Sequence, residues 1–354
     1  MNSYLTDAKE ALDKIIRKGR VHLYKPIQIA EILYYSRHKL AAFDIEELDT
    51  YRNASKRWRD AVSTLLVGSK STSSARFQDN LFDDNAMPPN LLKILDVENQ
   101  KKNGIVENYI YQEIGERLQD VVESYNYLVY SSPKDFSLQK FLDFFEYRPG
   151  LKRSVDKAYE IVVYALFSTL VDELNVKVSL TIENPDPDIL ADFALFAKYV
   201  LGINKQKTTV IKSARIYRSG VANAADRGLD MWTNFGPAVQ VKHLRLDADL
   251  ADEITEEVAA DDIVIVCKTA EAQLIQSVLH QIGKPVRGII TQDDLLSWYD
   301  LSLTKYQKRM GIKIMKHLKN EFLQEFPSLG ELVTFLDERG YQKSQLTDNW
   351  KLSH

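Results

Sequence analysis

Gly228-Leu229-Asp230-Met231-Trp232, followed by Gln240-Val241-Lys242-His243, is the stretch on which the reading of this chain turns. Side chains alternate along an extended strand, so Gln240 and Lys242 project together while Val239 and Val241 turn toward a core. Gly236-Pro237 supplies a turn between Asp230 and Gln240, because proline fixes its own backbone angle and glycine tolerates conformations that other residues avoid. A carboxylate, an amide oxygen and an ammonium group are thereby expected on two neighbouring strands, where they can converge.

Those residue types suit the hydrolysis of a phosphodiester. A Mg2+ ion neutralises developing charge and lowers the pKa of the attacking water. It prefers oxygen ligands, keeps several waters and needs only one or two carboxylates. A lysine beside the phosphorus can orient or deprotonate that water and stabilise charge. Asp230 and Lys242 fit these roles directly, whereas Gln240 offers an oxygen without a negative charge.

The pattern resembles the PD-(D/E)XK nuclease superfamily with Gln240 in place of the middle acid, a replacement also seen in its Mrr-like branch. More specific is the wider text Arg227-Gly228-Leu229-Asp230-Met231-Trp232-Thr233-Asn234-Phe235-Gly236-Pro237-Ala238-Val239-Gln240-Val241-Lys242-His243, which is similar to the HaeII family of type II restriction endonucleases. Ala8-Lys9-Glu10-Ala11-Leu12-Asp13-Lys14-Ile15-Ile16 and the run from Arg20 to Tyr34 share that likeness. The resemblance implies a Mg2+-dependent homodimer cutting both strands of double-stranded DNA at a short palindrome. For this family that is a GC-rich hexamer with degenerate outer bases, RGCGCY. It also implies a separate DNA methyltransferase as a functional, not physical, partner.

The composition excludes several classes. The single cysteine, Cys267, rules out an internal disulfide framework, and six histidines leave little for a structural zinc site. The amino terminus lacks the basic and apolar regions of a secretory signal, and the best apolar run, Ile161 to Val171, is too short for a bilayer, so a cytoplasmic protein is expected. A net charge of -4 is mildly unfavourable for DNA binding, yet electrostatic footprints are local. One basic run holds Arg52, Lys56, Arg57, Arg59, Lys70 and Arg76. A second, free of acids, holds Lys198, Lys205, Lys207, Lys212, Arg215 and Arg218, and a third lies between Lys305 and Lys319. For any one of them a solvated face is the plain alternative. The stretch Gly202 to Gly220, read as a loop, is the more suggestive because it precedes Asp230 and mixes its cations with polar groups able to meet phosphates and base edges; Asn234 joins this set.

Apolar spacing of three and four predicts helices over Leu5–Ile16 and Ile27–Leu33, with Pro26 opening the second. Residues 1–150 read as a mostly helical domain that clamps DNA or joins protomers, with Tyr147-Arg148-Pro149-Gly150 at the boundary. Residues 151–354 read as the PD-(D/E)XK-like catalytic domain, an α/β fold whose mixed sheet is flanked by helices. There an apolar helix to Leu174 leads to a strand over 176–182, a helix over 188–201, the two candidate catalytic strands, a buried strand over 263–267, a helix over 270–282 and a strand over 286–290. The strand, helix, strand unit makes the last two strands parallel neighbours.

Glu160 opens the apolar run of the preceding helix, where an unpaired charge is expensive. The resemblance implies that such a glutamate stands beside the metal and restores the charge missing at Gln240; an exposed helix residue is the alternative, and Asp226 is a competing carboxylate. His243 alternates away from Lys242 and suits a structural or DNA-contacting role. Cys267 in its apolar strand suits an inert buried thiol. The leading reading is a type II restriction endonuclease with Asp230, Gln240, Lys242 and Glu160 at its catalytic centre. Its rivals are a modification-dependent or repair nuclease with the same core, and a DNA-binding protein whose core no longer cleaves.

Overall fold

The structure, a computed structural model, describes residues 3–19, 23–68, 81–82, 86–148, 150–219, 229–247, 250–251, 253–254, 260, 262–270, 286–326 and 331–351. Its longer helices are α1 (Ser3–Lys18), α2 (Tyr24–His38), α3 (Arg52–Val67), α4 (Pro89–Lys101), α5 (Ile105–Tyr130), α6 (Leu138–Tyr147), α7 (Val155–Glu173), α8 (Gln292–Leu303), α9 (Ile312–Glu325) and α10 (Leu332–Arg339). Its strands are β1 (Lys177–Thr181), β2 (Thr209–Ser213), β3 (Ile216–Arg218), β4 (Met231–Thr233), β5 (Ala238–Leu246), β6 (Ile263–Ala270) and β7 (Val286–Thr291). None of the described helices is long and apolar enough to cross a membrane.

The chain divides into two compact units, Met1–Ala158 with Lys319–His354, and Tyr159–Leu318. The first is helical: α1 buries Ala8, Leu12, Ile15 and Ile16 at the expected apolar spacing, whereas α2, with Pro26 in its first turn, is buried on every side from Pro26 to Leu33. The α2 helix packs on α3 and α5, and α1 packs on α4. Sequence pattern alone runs the second segment to the chain's end, whereas packing groups the last residues with the first unit. Buried polar groups explain that return. The Glu107 carboxylate accepts two hydrogen bonds from Arg37, at 3.0 and 2.8 Å, and others from Asn99 and the Tyr341 hydroxyl. Glu31 accepts from Tyr111 at 2.5 Å and from Arg339 at 3.3 Å. A buried carboxylate is tolerated only when so satisfied, and here part of the satisfaction comes from the carboxy-terminal segment.

The second unit is built on a five-stranded mixed sheet in the order β3-β4-β5-β6-β7. Pairs β3–β4 and β4–β5 are antiparallel; β5–β6 and β6–β7 are parallel. The expected parallel pairing of the last two strands is present. Ile263, Ile265, Val266 and Cys267 are fully buried in β6, as a continuously apolar interior strand requires. On one side Ala238, Ile263, Ile265 and Cys267 pack with Leu246, Ala251 and Ile254. The α8 helix starts on a capping box between Thr291 and Asp294, and its Tyr299 hydroxyl donates to the Val162 carbonyl at 2.8 Å, fixing α8 to α7. The result is the mixed α/β architecture expected for a restriction-endonuclease-like fold, with helices beside the sheet.

Two expectations are corrected. The strand expected over 176–182 forms, but it pairs with β2 in a separate two-stranded sheet, Lys177 opposite Ser213 and Thr181 opposite Thr209. The stretch Gly202 to Gly220, expected as a loop, carries β2 and β3: its β-branched Thr209, Val210, Ile211 and Ile216 favour extended backbone more than its lysines suggest a loop. The helix expected over 270–282 falls almost wholly outside the described residues, and β6 itself runs to Ala270.

Candidate active site

Met231 lies opposite Val239 and Trp232 opposite Ala238, so Asp230 stands at the bend that enters β4, beside the middle of β5. Gly236, with φ of 124°, lies in the turn that joins the two strands, a conformation open to glycine and strained for other residues. The Asp230 carboxylate Oδ2 accepts the backbone N–H of Val241 at 2.8 Å, and the Asp230 carbonyl accepts the N–H of Ser219 at 2.8 Å. Val241 is the residue between Gln240 and Lys242. The carboxylate is therefore held against the strand that carries both other candidates.

Gln240 is buried, 5% exposed, and its Oε1 has no hydrogen-bond partner among the described residues. An unpaired buried acceptor costs about 1–3 kcal/mol, so one in a core strand marks a place where something else can supply the missing positive partner. Lys242 is half-buried two residues on, projecting from the same face of β5 as Gln240. No group of three or more His, Cys, Asp or Glu able to hold a metal ion occurs among the described residues. The oxygen set at hand is a carboxylate and a partnerless amide oxygen, and it fits a hard cation that keeps much of its own water shell.

Glu160 is 3% exposed, in the second turn of α7. Arg218 Nη1 lies 3.5 Å from its Oε2, with both side chains nearly buried. Arg218 pairs across β3–β4 with Met231, the neighbour of Asp230, and this ties Glu160 to the strand next to the Asp230 bend. The alternative of an exposed helix residue does not hold for Glu160. Asp226 lies outside the described residues.

The basic candidates separate by their surroundings. Lys205 and Lys207 are exposed on a tight turn held by the Asn204 side chain, and Lys212 and Arg215 are exposed on and after β2. Arg218 is drawn in by Glu160. On α3, Arg57 is exposed, Lys56 is half-buried, and Arg52 lies 3.7 Å from Asp49. Arg59 is corrected: its guanidinium is buried, donating to Asp60 at 2.9 and 2.7 Å and to Gln28 at 3.1 Å, out of reach of a phosphate. Asn234 is also structural, its amide bridging the Arg215 N–H at 2.7 Å and the Ser213 carbonyl at 3.0 Å. Lys70 and Arg76 lie outside the described residues.

Two further features bear on the site. Tyr217 and Trp232 face each other across β3–β4 and stack with ring centroids 4.1 Å apart, Trp232 remaining 47% exposed two residues from Asp230. Sequence reasoning misses this pair; its signal is an aromatic alternating with a candidate ligand on a short strand. Cys267 is fully buried, and burial pushes its thiol up to about 11, as an inert structural cysteine requires.

Comparison with known proteins adds to this geometry. The model of the HaeII restriction endonuclease family matches residues 8–341. The chain is 48% identical to "Type II restriction enzyme HaeII" of Haemophilus aegyptius over 342 residues, covering 95% of this chain and 97% of that protein. It is also 48% identical to "Type II restriction enzyme NgoBI" of Neisseria gonorrhoeae over 339 residues, 94% of this chain and 96% of that one. No solved structure matches. A likeness this long has one reading: the chain belongs to the HaeII restriction endonuclease family and is a type II restriction enzyme.

Proposed function

We propose that this enzyme hydrolyses both strands of duplex DNA at a short palindromic site, RGCGCY by its likeness to the HaeII family, in a Mg2+-dependent reaction carried out by a homodimer in the cytoplasm. The observation that carries the proposal is the hydrogen bond from Val241 to Asp230, which sets a carboxylate against the strand bearing Lys242 and the Gln240 oxygen, without a hydrogen-bond partner among the described residues. Asp230 and Gln240 are the oxygen ligands. Glu160, tied by Arg218 to the strand beside Asp230, supplies the second carboxylate. When bound, Mg2+ supplies charge neutralisation at the phosphate and a lowered pKa for the attacking water. Lys242 faces the phosphate with its ammonium group, stabilising negative charge there and orienting the water. The buried strands on either side of Val241 hold these groups in place without reorganisation during the reaction.

Exposed Lys205, Lys207, Lys212, Arg215 and Arg57, with Lys56 and Arg52, meet the DNA backbone. The helical unit clamps the duplex or joins protomers. Two-fold symmetry of the dimer matches the symmetry of a palindrome and presents one centre to each strand. A cognate methyltransferase protects host DNA without binding this chain. Digestion of unmethylated and methylated plasmid of known sequence, with and without Mg2+, followed by mapping of the fragment ends, tests the reading. Discrete fragments from unmethylated DNA with Mg2+ are expected; no cleavage, or cleavage only of modified DNA, contradicts it.

A further inference from the structure

The helical segment 187–201 turns its apolar side outward. Ile189, Phe193, Leu195, Phe196, Tyr199 and Val200 are between 54% and 73% exposed. The segment is helical in three pieces, 187–192, 194–196 and a π-turn over 197–201, and the six exposed apolar side chains are spread along all of it. Within this stretch Ala197 alone is buried, at 3%.

We propose that the exposed apolar side of the segment 187–201 is the surface on which a second copy of this chain docks. The proposal rests on the homodimer reading above and names the face that reading leaves open. Three observations favour a second copy over nucleic acid. The six side chains still expose on the order of 700 Å² if each offers about 100–150 Å² of its surface, close to the roughly 800 Å² per partner of a stable interface. Monomeric proteins seldom leave so large an apolar area in water. The segment also carries exposed Asp188 and Asp192 beside Lys198, a mixture that repels phosphates but lets one surface meet its own image across a two-fold axis.

Sedimentation velocity of the full-length chain, from nanomolar to micromolar concentration, tests this with Phe193→Glu and Tyr199→Glu, and with Val97→Glu as an exposed control elsewhere. Circular dichroism establishes that each variant is folded. The expected result is a dimer for the wild type and Val97→Glu, and a dimer weakened by at least about tenfold in Kd for the other two variants. A wild-type dimer that both variants retain overturns the assignment of this face while leaving the homodimer reading intact; a monomeric wild type defeats both. Should a variant not fold, hydrogen exchange of the wild type decides: amides of 187–201 slow as concentration rises if this face is the interface, and exchange there unchanged with concentration overturns it.

Discussion

The Asp230 carboxylate accepts the backbone N–H of Val241 at 2.8 Å, so the acid on one strand is fastened between the two other candidate residues on the next. The bond needs an acceptor oxygen, not a charge. Asp230→Asn retains the acceptor and loses the charge, and it is expected to fold normally while divalent binding and cleavage fall, the latter by at least about 10²-fold. Mn2+ binding to the enzyme–DNA complex, followed by its paramagnetic resonance signal, checks this independently of turnover. Wild-type Mn2+ affinity in Asp230→Asn would show that Asp230 serves only the backbone.

Gln240 gives a prediction in which stability and activity part. Its Oε1 is buried without a hydrogen-bond partner among the described residues, so replacing the amide by an apolar group of similar shape removes an unsatisfied acceptor. Gln240→Leu is expected to leave the denaturant midpoint unchanged or to raise stability by up to about 1 kcal/mol, and to abolish cleavage. A strongly destabilised variant would mean that the oxygen has a structural partner.

The cations divide into those that meet solvent and those that hold the fold. Neutralising Lys205, Lys207 and Lys212 together should weaken DNA binding and lower the slope of log K against log salt by about 0.9 for each phosphate that is no longer neutralised. Arg59→Ala should leave that slope alone and cost about 1–3 kcal/mol of stability, because it strands Gln28 and Asp60. Titrating binding against salt and unfolding each variant in urea separates the two.

Glu31 makes the helical unit sensitive to pH. Burial, chiefly, raises its pKa above the ordinary 4.5, against the opposing pull of Arg339. A folded-state pKa raised above the unfolded value means that the group's favourable contribution is fully present below 4.5 and is lost as pH rises through the folded value. Glu31→Gln keeps an acceptor for Tyr111 and cannot ionise. As pH rises above 4.5 the wild type should therefore lose stability relative to the variant. Melting temperatures at several pH values check the sign; a difference independent of pH would contradict it.

The legible parts of the chain are those set by local pattern. The helix α1 follows from apolar spacing, and the interior strand β6 from its uninterrupted apolar run, because each signal lies within one element. That Asp230 lies against the strand of Gln240 and Lys242 is readable for the same reason, a short turn bringing two strands together. What escapes is decided by long-range partners. The placement of β1 beside β2 depends on a pairing that no local feature specifies. Arg59 reads as a surface cation until Gln28 and Asp60 are seen around it, and the carboxy-terminal segment joins the helical unit because Glu31 and Glu107 need its Arg339 and Tyr341.

Lys242 follows Val241, whose N–H bonds to Asp230, and projects from the face of β5 that carries Gln240, which makes it the sharpest probe of the proposed centre. Single-turnover cleavage of a duplex carrying one RGCGCY site, at saturating Mg2+ and with DNA affinity measured alongside, tests the account most directly. Asp230→Ala and Lys242→Ala are expected to bind the duplex within a few-fold of the wild type and to cut it at least about 10²-fold more slowly. Wild-type cleavage by either variant would contradict it.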